Sequence, residues 1–143
     1  NITEALVSVT KTYDFSSGAN STCRGYRNAS ADASIFNTSK YNLGAETTHS
    51  PSDYTNISAN DSLYMAQSDK YPKAYRYNFN ITEDKADITQ LVVTSVTKDA
   101  GGKGTTLRIW NLTSKKWQML NTSLSTNQIT FIYTMTFCVD ESS

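Results

Sequence analysis

Alternation of apolar and polar positions, rather than any helical period, organises this chain. In AYRYNFNIT, Tyr75, Tyr77, Phe79 and Ile81 alternate with Arg76, Asn78, Asn80 and Thr82. In ITFIYTMTF, Ile129, Phe131, Tyr133, Met135 and Phe137 alternate with Thr130, Ile132, Thr134 and Thr136. Both segments read as strands. DITQLVVTSVT and the hairpin TTLRIWNLTSKKWQML, with its turn around Thr113–Lys116, lie between them. DAGGKG joins these two as a flexible loop. The chain opens with NITEALVSVTKTYDF, fifteen residues with no Gly or Pro. Ala5, Val7, Val9, Tyr13 and Phe15 would share one face there, with Ser8, Thr10 and Thr12 on the other. Fully extended, that run reaches about 50 Å, whereas ordinary strands span about 17–20 Å.

A weaker strand is expected over Ser62–Gln67 (SLYMAQ), and short strands around CRGYRNA and ASIF. Ser16–Asp61 is otherwise poor in large apolar residues. The pattern predicts eight to ten strands with almost no helix, and so an all-β antiparallel sandwich or jelly roll. A length of 143 residues fits one domain with its own core. A disordered mucin-like stalk is disfavoured by two Pro and 11% aromatic residues.

Charge then narrows the partners. Thirteen basic and thirteen acidic residues balance, and neither sign forms a run, which argues against nucleic acid. The longest mostly apolar stretch, ITFIYTMTFCV, is too short to span a membrane as a helix. No basic region followed by an apolar run begins the sequence, so any export signal is expected to have been removed. The compositional signal lies in Ser, Thr and Asn. Nine of twelve Asn begin an Asn-x-Ser/Thr sequon: Asn1, Asn20, Asn28, Asn37, Asn56, Asn60, Asn80, Asn111 and Asn121. Random placement of Ser and Thr would give about three. The excess predicts an extracellular or cell-surface N-glycoprotein.

Two cysteines, Cys23 and Cys138, permit a single disulfide. It would close a loop worth about 4–5 kcal/mol in the chain-entropy model. Catalysis finds no foothold. The lone His49 stands in the turn-like THSPSD, and no nucleophile elbow, phosphate loop or zinc-protease motif occurs. Glu83, Asp84 and Asp87 could offer carboxylates to calcium, but a solvated turn is favoured because calcium takes six to eight oxygens. No cofactor is expected beyond covalent glycans. Trp110 and Trp117 fall on paired strands of one hairpin, which favours packing over stacking on a sugar, although a carbohydrate-binding module stays in play.

The order TYDFSSG, CRGYRN, YPKAYRYNFNITEDKADITQLVV, LRIWNLTSKKWQML resembles β-jelly-roll domains of archaeal extracellular proteins, over Thr12 to Leu120. Those domains usually start near the TYDF element and commonly run on past the strand matching ITFIYTMTF. Here about ten strand-forming residues come first and only CVDESS follows. In this it is similar to glycosylated archaeal thread-like pili, whose subunits lend a terminal strand to the next. The resemblance implies a donor segment, residues 1–11 with Ala5, Leu6, Val7 and Val9, and a jelly-roll-like body, residues 12–143. Ile129, Phe131, Tyr133, Met135 and Phe137 would line the receiving groove. Physics supplies the same motive, since an incomplete sandwich exposes unpaired backbone and an apolar slot. A head-to-tail contact that does not close makes a filament. The expectation is a non-enzymatic filament subunit that polymerises with identical copies and serves adhesion or cell–cell contact. The competing reading is a monomeric secreted carbohydrate-binding or adhesion module.

Overall fold

A computed structural model describes residues 9–20, 22–28, 37–44, 46–65 and 74–137. Among them the chain is nearly all-β and every sheet is antiparallel. Strand β1 (Cys23–Asn28) lies between β2 (Glu46–Thr48) and β3 (Tyr75–Phe79). Strand β4 (Gln90–Thr97) pairs with β7 (Ile129–Thr136), and β5 (Thr105–Asn111) forms a hairpin with β6 (Lys116–Ser123). The hairpin turn falls where the sequence placed it, and Lys115 takes a positive φ there. A bulge between Leu107 and Arg108 shifts its register; the extra residue re-aims the strand beyond it.

The core of the three-stranded sheet is aromatic. Phe15 is buried against Tyr54, Tyr77 and Phe79, with ring centroids 5.4–5.7 Å apart. Cys23 is buried in the same cluster, and Tyr13 and Ile57 pack on it. Burying a side chain such as Phe15 contributes about 1.5–3 kcal/mol.

Three expectations change. THSPSD is not only a turn: it starts a short helix, α1 (Pro51–Asn56). The Ser50 hydroxyl accepts from the Asp53 N–H and the Asp53 carboxylate accepts from the Ser50 N–H, with Pro51 in the first turn. That reciprocal cap satisfies two donors the helix start would leave open. SLYMAQ forms no strand over Ser62–Met65, and Ser62 adopts φ 67°; Ala66 and Gln67 lie outside the described residues, as does ASIF. Residues 9–14 of the opening run are not strand either, and Phe15 beyond them is buried in the core.

Candidate functional site

Lys11 and Tyr13 tie the first described residues to the turn after β3. Lys11 pairs with Glu83 at 2.8 Å, and the Tyr13 hydroxyl donates to the same carboxylate at 2.5 Å. The Thr82 N–H donates to the Tyr13 oxygen at 3.0 Å. These contacts, the Lys11 hydrogen bond first, hold the Glu83 carboxyl down at about 2. Two residues earlier, Val9 is 86% exposed. Ala5, Leu6, Val7 and Asn1 lie outside the described residues.

The proposed receiving strand is β7. It pairs with β4 over eight positions, from Gln90 opposite Thr136 to Thr97 opposite Ile129. Opposed residues point to one side, so Ile129, Phe131, Tyr133 and Met135 share a face with Leu91 and Val93. Phe131 is buried, Ile129 and Met135 are half-buried, and Tyr133 and Phe137 are exposed. Among the described residues neither strand has a second hydrogen-bonded neighbour. Neither carries a charge.

The sequons divide by environment. Asn20, Asn37, Asn60, Asn80 and Asn121 are exposed; Asn56 and Asn111 are half-buried. At Asn20 and Asn37 the side-chain oxygen accepts the N–H two residues on, at 2.8 Å, so the backbone holds the oxygen of the carboxamide and not its nitrogen. Asn111 makes the same turn but also donates its Nδ2 to Gln118 at 3.2 Å. Asn28 differs from all of them. It is 2% exposed, its Oδ1 accepts from the Ala74 N–H at 3.0 Å, and its own N–H donates to the Ala74 carbonyl at 3.3 Å. A glycan has no room there in the folded chain, so Asn28 is a peg between β1 and the approach to β3.

The expected Cys23–Cys138 bridge is not seen. Cys23 is a free thiol packed in the Phe15 cluster, and Cys138 lies outside the described residues. The acidic turn is occupied by protein: Glu83 holds Lys11 and Tyr13, and Asp84 accepts from the Ala86 N–H. Among the described residues no group of three or more acidic, His or Cys side chains could hold a metal. No helix among them is long and apolar enough to cross a membrane.

The two tryptophans belong to a larger cluster. Trp110 and Trp117 oppose each other with centroids 5.4 Å apart, and Tyr41 stacks on Trp117 at 6.0 Å. Trp117 donates its Nε1 to the Lys40 carbonyl at 2.8 Å. Tyr41 also covers one side of Arg76, and Tyr26 the other, at 4.5 and 4.0 Å. Arg76 is 4% exposed and binds the Glu46 carboxylate through two nitrogens, at 2.6 and 3.2 Å. It sits on the side of β3 that alternation marks as polar. The aromatic faces are thus largely spent on cohesion between the three-stranded sheet and the hairpin.

His49, which the sequence sets in a turn-like loop as a solvated or packed residue, is packed. Its ring is buried against Tyr54, Tyr75 and Tyr77, and neither ring nitrogen has a hydrogen-bond partner among the described residues. Only a glycine fits beside it, because a Cβ at Gly25 would stand 2.3 Å from His49 Cδ2. Burial lowers its pKa; Asp53 opposes that shift and Arg27 adds to it.

Residues 26–140 match the family described as an uncharacterized protein, C-terminal domain. No curated protein and no solved structure matches the chain.

Proposed function

Since the chain belongs to that family, whose description names no activity, we propose a function from the geometry: a structural subunit of an extracellular, N-glycosylated filament. Subunits join head to tail, each lending its leading β-forming segment to complete the sheet of the next. The observation that carries this reading is the β4–β7 ribbon, eight paired positions long and uncharged, with no second hydrogen-bonded strand among the described residues, β6 lying near β7 without pairing to it. Such edges solicit another strand. The exposure of Val9, two residues ahead of the Lys11 and Tyr13 anchor, supports it. Sequon density supports the locale, and the resemblance to jelly-roll surface domains supports the closed sandwich.

The carbohydrate-binding alternative leans on Trp110 and Trp117. These rings pack on each other and on Tyr41, and the Trp117 N–H is taken, which favours cohesion. The test is truncation and complementation. A chain beginning at Thr12 is expected to fold poorly or stay monomeric, and to bind the peptide Asn1–Thr10 added in trans. Polymers of normal length from the truncated chain refute the donor role.

A further inference from the structure

The nine sequons leave two long stretches with no glycan acceptor, residues 83–110 and 124–143. The fold pairs these stretches with each other: β4 comes from the first and β7 from the second. The other two sheets each carry sequons. Asn80 lies just beyond β3 and Asn111 and Asn121 lie in β5 and β6, whereas the Asn28 sequon of β1 is buried. The ribbon without acceptors also shows apolar side chains to solvent on one of its sides, as Met119 does on β6. Val92 is 54% exposed and Ile132 is 64% exposed. The register sets Val92 opposite Thr134 and Thr94 opposite Ile132, so the two apolar groups are diagonal neighbours on one face.

We infer that this Val92–Ile132 face is a contact between copies of the chain, kept free of sugar so that a second copy can pack on it. This rests on the filament reading and extends it: the donated strand adds at an edge, whereas this face is covered by the body of a neighbour. The occupant follows from chemistry. Sixteen strand residues without a charge would strip water from any charged partner with nothing to compensate it. A neutral, hydroxyl-flanked apolar strip matches a surface of its own kind, and the chain provides one: this ribbon on the next copy. A bulky hydrated glycan placed on the strip would therefore act as a wedge.

Single substitutions can place one. Val92→Asn creates an Asn-x-Thr sequon with Thr94, and Ile132→Asn creates one with Thr134. Lys103→Asn does the same with Thr105 in the exposed loop before β5, and serves as the control. Each variant is made in a glycosylating and a non-glycosylating host and followed by sedimentation and circular dichroism. Glycosylated Val92→Asn and Ile132→Asn are expected to remain folded single copies, while their sugar-free forms and glycosylated Lys103→Asn assemble. Glycosylated Ile132→Asn that assembles like the unaltered chain overturns the inference and leaves the filament reading standing. An unaltered chain that never assembles overturns both. Should an Asn variant fail to fold, Val92→Cys and Ile132→Cys replace it. Their thiols are expected to resist maleimide in the assembly and react in the monomer, and equal reactivity in both states contradicts the contact.

Discussion

His49 is held where no hydrogen-bond partner among the described residues reaches it, and acid should find it first. Its pKa is lowered from 6.5 because a buried imidazolium loses water, with Asp53 opposing and Arg27 reinforcing. Tyr54, Tyr75 and Tyr77 supply the remaining walls. The unfolded chain therefore binds more protons below pH 6.5, and this contribution to stability is complete above that value and lost as pH falls beneath it. His49 is the sole histidine, so its ring signals in an NMR titration are unambiguous. A midpoint below 6.5 is expected; one at or above 6.5 contradicts the burial argument. Asn28 offers a second residue-scale test, since the peg and the sequon can be separated. Ser30→Ala removes the sequon and is expected to change neither glycan mass nor melting temperature. Asn28→Ala removes the carboxamide and is expected to cost about 1–3 kcal/mol. Neither role was legible in sequence, because an Asn-x-Ser triplet looks the same whether its carboxamide faces solvent or clamps two strands.

Alternation located β3, β4, β7 and the β5–β6 hairpin well, because long runs of period two leave little choice of conformation. It failed on which side of β3 is covered. Tyr77 and Phe79 pack on Phe15 yet keep part of their surface exposed, while Arg76 on the opposite side is the most buried residue of the strand. A guanidinium between two tyrosines and on a carboxylate satisfies itself without water, which a two-letter apolar/polar code does not register. Arg76→Met should leave Glu46 unpaired and cost about 3 kcal/mol in a denaturant melt. A loss below about 1 kcal/mol would show that the stack is surface decoration. The helix α1 did have a signal: Ser50, Pro51 and Asp53 spell its cap, but six residues are too few to display a 3.6-residue period.

On the filament reading proposed above, a glycan-bearing body and a bare, uncharged ribbon would divide the labour: sugar would keep most surfaces apart and the ribbon would bring copies together. The sequence displays the sequons directly. It shows the bare ribbon only as two separate sequon-free stretches, and their pairing needed the fold. The most direct measurement is electron microscopy of the glycosylated full chain across a range of concentrations. Filaments are expected, with a one-subunit axial repeat and the segment ahead of Lys11 threaded into the adjoining copy. Discrete single copies at every concentration would contradict the account.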